Sequence, residues 1–388
     1  MATMVSSLRQ QAHHIDSFDG IRGVAILLVL IMHAGWFDTG WVGADLFFVL
    51  SGFLITRILR KSRSEPFYWR RFYIKRATRI LPPLLLGIAV AAVFWPHISP
   101  IAIAGYAVSL GNVVNITHLS GWPLRHLWSP SVEEHYYFLW PFVVLWLPRR
   151  KLQRVLLAIV VIVPVRRFVF TYLLPGQDPN TIYFLTPFRI DGIALGSLLA
   201  LLLEQRSWQE RLTKWSGAGT VLASVVYLDL RAILGHDRFY PMAADPIFNL
   251  TGYSVVAVIA FFVVAYACLR PEAIPTRILR NRLLTKLGVI SYGVYVYSWI
   301  LHGLMEHYFA ALSAFNLGLI HILVILPVSA VLFKYYEQPI SNWGRRMAAQ
   351  PTEKANVAKK DSGSDTKTSS HNQMGGGSPR IYARGGAL

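Results

Sequence analysis

The sequence predicts an all-α polytopic membrane protein of about ten transmembrane helices, with a disordered cytoplasmic C-terminal tail. Three observations predict it. Of 388 residues, 54% are hydrophobic and only 15% charged, against about a quarter charged in soluble domains. The apolar residues gather in eleven runs, near the length of about 20 residues that spans a hydrocarbon core as helix. The basic residues behind the +18 net charge fall in the gaps between those runs. That apolar content excludes a disordered chain, and the scatter of basic residues excludes a nucleic-acid binder. The single Cys268 excludes an intrachain disulfide framework and a cysteine metal cluster.

The runs lie at 21–36, 41–58, 81–96, 101–116, 132–148, 155–171, 187–203, 215–233, 250–269, 287–304 and 316–333. The stretch 97–127 holds His97, Pro100, Asn112, Asn115, His118, Gly121 and Pro123. Its apolar part reads as a short or re-entrant element, which is acceptable where protein or a water-filled cavity covers the backbone. Ten crossings remain. Residues 1–17 form a polar N-terminal segment without the features of a cleavable signal. Residues 18–343 form the membrane domain, and 344–388, rich in Lys, Ser, Thr and Gly, form the tail.

Charge sets the orientation. The gap 57–79 holds nine basic residues, Arg57 to Arg79, against Glu65 alone. Arg149, Arg150, Lys151 and Arg154, then Arg206, Arg211 and Lys214, then Arg270 to Lys286 fall on the same side. The positive-inside rule makes this side cytoplasmic, and ten crossings put both termini there. Arg166 and Arg167 fall on the other side, against the trend.

Ionisable residues inside spans cost several kcal/mol and each needs a reason. Arg22 and His33 are eleven residues apart on the first helix, which places them on one face and about 16 Å apart. Snorkelling at the two interfaces would explain both. Asp45 sits one turn into the returning second helix, level with His33, with no packing reason to be there. The segment His126-Leu127-Trp128-Ser129-Pro130 reads as a helix start with Ser129 as N-cap and Pro130 at the first position. Glu133 and Glu134 follow; complementing the helix dipole explains one acid better than two. Arg189 and Asp191 open another span, as a salt bridge or as part of a site. His33, Asp45, Glu133, Glu134, Arg189 and Asp191 all fall toward the outer leaflet, and their convergence points to one polar cavity. On the cytoplasmic side Arg76 and Arg79 share a helix face. They read either as positive-inside charge or as a clamp that binds phosphate through bidentate guanidinium groups. His302, Glu306 and His307 lack the further ligands a metal would need.

Taken in order, these motifs resemble the acyltransferase-3 family of integral membrane O-acyltransferases, from about Phe18 to Trp343. The resemblance rests on Phe18-Asp19-Gly20-Ile21-Arg22-Gly23 with Arg-x10-His ending at His33, on the run Asp45–Ile55, and on Arg76-x-x-Arg79-Ile80-Leu81-Pro82. It continues with His126-Leu127-Trp128-Ser129 through Glu133-Glu134, Arg189-x-Asp191-Gly192, Ile290-Ser291-Tyr292-Gly293-Val294-Tyr295 and Tyr336-Glu337-Gln338-Pro339. It implies a ten-helix fold in a bacterial inner membrane. It also implies transfer of an acyl group, usually acetyl, from acyl-CoA to a hydroxyl of a sugar, glycolipid or natural product, with no resident cofactor or metal. Where the family often has Leu-Trp-His after Ser-Tyr-Gly, this chain has Val296-Tyr297-Ser298.

The expected mechanism uses His33 as general base on the acceptor, worth roughly 10²- to 10⁴-fold, with Asp45 or Glu133 orienting its ring. Arg22, Arg76 and Arg79 would bind CoA phosphates. Trp128, Ser129, Glu134, Arg189, Asp191 and Glu337 would line the substrate path. A covalent acyl-His is the mechanistic rival. The partners are then acyl-CoA, a carbohydrate or glycolipid acceptor and membrane lipids. The rival function class is a proton-coupled transporter, which also uses intramembrane His, Asp and Arg; the internal repeat common in transporters is not evident. A structural scaffold would leave the acidic cluster unexplained.

Overall fold

The computed structural model describes residues 2–117, 119, 121–309 and 311–349, with side chains from Asp16 onward. Among the described residues the protein is helical with no strand, and ten helices are long. They are α1 (Ala2–His33), α2 (Val42–Ser62), α3 (Tyr68–Phe94), α4 (Trp128–Trp146) and α5 (Arg149–Leu173). Then come α6 (Thr186–Leu202), α7 (Arg206–Leu234), α8 (Pro246–Leu269), α9 (Arg282–Tyr308) and α10 (Ala314–Leu332). Eight, all but α1 and α4, are long and apolar enough to cross a membrane by length and composition. The other two carry Arg22 and His33, and Ser129, Glu133 and Glu134. The protein is an all-α polytopic membrane protein.

The stretch expected to be re-entrant forms short helices at Pro100–Ala107 and Gly111–Val114. At about 1.5 Å per residue, neither approaches the thickness of a bilayer. Asn112 and Asn115 are buried: Asn115 accepts from Tyr106 and donates to the Arg125 carbonyl, and Asn112 donates to Thr186. These amides tie the non-helical backbone to the bundle.

Two sequence boundaries move. The first helix extends back through the segment read as a separate polar terminus. At the other end the helix continues past Gly344 to Ala349, so the tail does not begin at 344; the rest of that segment lies outside the described residues.

Helix α1 packs along α9 and α2, α2 along α6, α5 along α6, and α7 along α8. The α2–α6 contact needs glycine. A methyl at Gly52 would strike the Ile193 carbonyl, and one at Gly196 the Val49 carbonyl, so backbones meet where small residues permit it. Three apolar cores result, centred on α4 and α6, on α3 and α9, and on α2 and α8. The polar groups lie between them.

Candidate active site

The polar residues fall into three groups rather than one cavity. The first is a pocket of about 90 Å³ between α1, α2, α3, α4 and α9. Arg22, Arg76, Arg79, Glu133 and Glu134 line it, with Ser129 and Tyr295 at its far end. It shares Arg76, Arg79 and Tyr292 with a wider mouth of about 430 Å³, to which Asp19, Lys75, Glu337 and Arg345 contribute. The spacing Arg76-x-x-Arg79 places both guanidinium groups on the face of α3 that lines both spaces. Arg22 forms an ion pair with Asp19 at 2.5 Å, and Arg76 lies 5.0 Å from the Tyr137 ring centroid.

Glu133 belongs to this pocket, not to His33. Its carboxylate accepts from Ser51 and from Tyr137, each at 2.9 Å. Ser51 stands nine residues into α2, at mid-helix, which draws Glu133 inward from the level of Asp45. Tyr137 is one turn after Glu133, so the pair shares a helix face; the Glu-x-x-x-Tyr spacing was the available signal. Glu337 sits in a π-helical turn at Phe333–Glu337, where α10 is locally unwound; such turns gather at functional sites. The turn aims its carboxylate at Tyr297, which donates at 3.0 Å. A Cβ on Gly293 would collide with that carboxylate, which explains the glycine in the Ser-Tyr-Gly motif.

Ser129 is not an N-cap. The helix begins at Trp128 after a 3₁₀ turn at Leu124–Leu127, and no side chain caps it. The preceding 3₁₀ turn leaves Ser129 inside the first turn, and its hydroxyl meets the Tyr295 hydroxyl at 2.7 Å. Tyr295 in turn donates to the His126 carbonyl at 2.7 Å.

The second group surrounds His33. Its Nδ1 lies 3.0 Å from Ser298 Oγ, and its ring packs against Trp299 at 4.5 Å between centroids. His126 is 6.5 Å away, edge to face. His321 Nε2 lies 2.9 Å from the Ser298 carbonyl and 3.4 Å from its hydroxyl. A carbonyl only accepts, so that nitrogen carries the proton. The expectation that Asp45 or Glu133 orients the imidazole is therefore corrected: Ser298 does, backed by His321. The ring beside Ser298 comes from α10, as His321. Only the spatial approach of α9 and α10 shows this.

The third group is a pair of buried ion pairs across α6. Arg189 Nη2 lies 3.0 Å from Asp45, and Arg167 binds Asp191 bidentately at 3.0 and 2.9 Å. The Arg189–Asp191 salt bridge weighed from the sequence does not form, because residues two apart point about 200° apart on a helix. Arg167 is 0% exposed and Arg189 1%, so Arg167, one of the two basic residues that broke the positive-inside trend, is an internal counter-ion. Four aromatic rings box Arg189: Tyr253 at 3.9 Å, Trp128 and Tyr183 at 5.4 Å and Phe48 at 5.9 Å. Trp128 thus packs on a buried cation, and the group is structural in its contacts. Among the described residues no cluster of three or more His, Cys, Asp or Glu side chains could hold a metal.

A family model described as an acyltransferase domain matches residues 15–335. The chain belongs to the acyltransferase-3 family. It is 26% identical over 379 residues to an O-acetyltransferase OatA of Staphylococcus aureus, covering 89% of this chain and 60% of that relative. It is also 26% identical over 322 residues to a peptidoglycan O-acetyltransferase OatA of Listeria monocytogenes, covering 76% of this chain and 50% of the relative. The chain thus spans between half and three-fifths of the length of these family members. No solved structure matches it significantly.

Proposed function

We propose that the protein is a membrane O-acetyltransferase that moves an acetyl group from acetyl-CoA to a hydroxyl of a cell-envelope carbohydrate. Family membership favours group transfer over the proton-coupled transport weighed from the sequence. The observation that carries the reading is the path along α1. A mouth bearing Lys75, Arg76, Arg79 and Arg345 opens into the pocket at Arg22, and His33 stands about 16 Å further along the same helix. The cationic end suits the phosphates of CoA, since guanidinium groups bind phosphate bidentately; Lys75 and Arg345 extend the set named from the sequence. The positive-inside rule, applied to the basic gaps, favours a cytoplasmic mouth.

The thioester end reaches toward Tyr295, whose hydroxyl closes the pocket against Ser129. Behind it stand His126 and then His33. Opening of the Tyr295–Ser129 contact would admit the thioester to the side of His33, where the acceptor oxygen attacks its carbonyl and gives its proton to His33 Nε2. The carbon–sulfur bond then breaks, and the CoA thiolate takes a proton as it leaves. In the tautomer where His33 Nδ1–H donates to the Ser298 hydroxyl, Nε2 is free to act as the base. The acceptor class follows from the names of the relatives, which modify peptidoglycan or carry the same OatA name.

The test is mass spectrometry of cell-envelope glycans and secreted metabolites from cells with and without the protein, alongside radiolabelled acetyl-CoA and the full chain in liposomes. Acetyl esters should appear with the wild type and vanish with His33→Gln. Arg76→Ala with Arg79→Ala should demand at least ten times more acetyl-CoA for the same rate. Loss of no acetyl ester on deletion would sink the proposal.

A further inference from the structure

A base at His33 becomes a cation, and no anion stands ready to meet it. When the acceptor oxygen gives its proton to Nε2, the ring carries one net positive charge until that proton departs. The two carboxylates expected beside it are engaged elsewhere: Glu133 with Ser51 and Tyr137, and Asp45 with Arg189. The titratable groups that do face His33 are three more imidazoles, those of His126, His302 and His321. The single acid of α9, Glu306, pairs with His302 at 3.3 Å. Among the described residues His33 thus has no acidic partner, and its side chain is buried. A buried charge without a partner is costly.

What meets the ring is Trp299. The two ring centroids are 4.5 Å apart, inside the roughly 6 Å over which an aromatic face attracts a cation, and indole has the strongest such face. Trp299 follows Ser298 on α9, so one turn of helix supplies both the hydroxyl at His33 Nδ1 and the ring packed on it. The indole is itself fixed by two further rings. His302, three residues on and on the same side of α9, stacks on it at 5.1 Å with the planes 9° apart. Trp122, from the segment before the 3₁₀ turn, meets it edge to face at 4.8 Å. A ring held in this way needs no rearrangement when the charge appears, which is what makes electrostatic stabilisation of a transition state effective. We infer that Trp299 is a positioning residue of the acyl transfer, whose π face holds the His33 ring in place and stabilises its imidazolium form. The inference rests on the reading of His33 as the base and names the group that takes the place a carboxylate has in a Ser-His-Asp triad.

The experiment replaces Trp299 alone, in the full chain, by site-specific incorporation of mono-, di- and trifluorotryptophan. These keep the shape of the indole and drain negative charge from its face. Ester formation is followed with radiolabelled acetyl-CoA and purified peptidoglycan. The kcat should fall stepwise, to about one tenth with the trifluoro ring, while the acetyl-CoA KM and the thermal midpoint keep their wild-type values. Trp299→Phe, with a weaker face, should lie between the wild type and Trp299→Leu. A second readout needs no turnover. Nitrogen NMR of labelled histidine, with the His33 signal assigned by its loss in His33→Gln, should show a smaller imidazolium fraction at one fixed acidic pH with each added fluorine. A flat kcat series in an active protein, or a flat imidazolium fraction, would overturn the inference and leave Trp299 as packing. An imidazolium fraction that follows fluorination in a protein forming no acetyl ester would uphold the ring pair and sink the acyl-transfer reading instead.

Discussion

His33 Nδ1 and Ser298 Oγ lie 3.0 Å apart, bridging α1 and α9. Ser298→Ala should therefore lower turnover about ten-fold while leaving the acetyl-CoA KM unchanged, since the hydroxyl touches the base and not the nucleotide pocket. Ser298→Thr keeps the hydroxyl and should restore most of the rate. His33→Gln, run in parallel, should lose at least the roughly 10²-fold assigned to general-base action. Steady-state rates of the three variants at varied donor check this. Normal turnover in Ser298→Ala with an inactive His33→Gln would reassign the orienting role.

Asp45 is predicted to matter for folding rather than for chemistry. Asp45→Asn leaves the Arg189 cation buried without its carboxylate, a change that typically costs about 3–5 kcal/mol. Thermal unfolding in detergent should show a large drop in midpoint for Asp45→Asn. The double variant Asp45→Asn with Arg189→Met should lie closer to the wild type than either single change. Additive losses would mean that the ion pair is not the coupling.

The orientation is open to a direct test. A reporter fused after Arg60 should read cytoplasmic, and one inserted within 104–109 should read external. A cytoplasmic reading for the second would place the short helices at 100–114 on the other face and move the proposed donor mouth with them.

One pH effect belongs to the loop after α7. Hydrogen bonds to Asp237 and Asp38 raise the pKa of the exposed His236, and its Nε2 donates to Asp38 before α2. A raised pKa means that the contact is complete below the ordinary histidine value of about 6.5 and is lost as pH rises through the elevated one. Limited proteolysis of 235–245 should accelerate across that window in the wild type and show no such step in His236→Ala.

Much of this was legible in the chain. The long helices follow from the apolar runs and the breaks between them, and the chemistry-bearing residues from charges with no packing reason to be in membrane. What the sequence did not reveal is who faces whom. Glu133, Asp45 and His33 fall at similar apparent depth in sequence, yet Ser51, Arg189 and Ser298 claim one each. Hydroxyl partners such as Ser51, Ser298 and Tyr137 are ordinary residues in apolar helices, and only helix rotation makes them significant. Arg167 looked like a violation of the charge rule because its acid comes 24 residues later on another helix.

The two ion pairs across α6 also bear on how the protein is made. Arg189 and Asp191 would each oppose entry of a lone α6 into lipid, by about 2.5–3.5 kcal/mol for a charge at a helix centre. Both counter-ions, Asp45 on α2 and Arg167 on α5, leave the ribosome before α6 does. By the time α6 emerges, the groups that neutralise it are already waiting in the bilayer, one on each flank. The order of the helices along the chain is thus also an order of insertion in which no charge on α6 need enter the membrane alone.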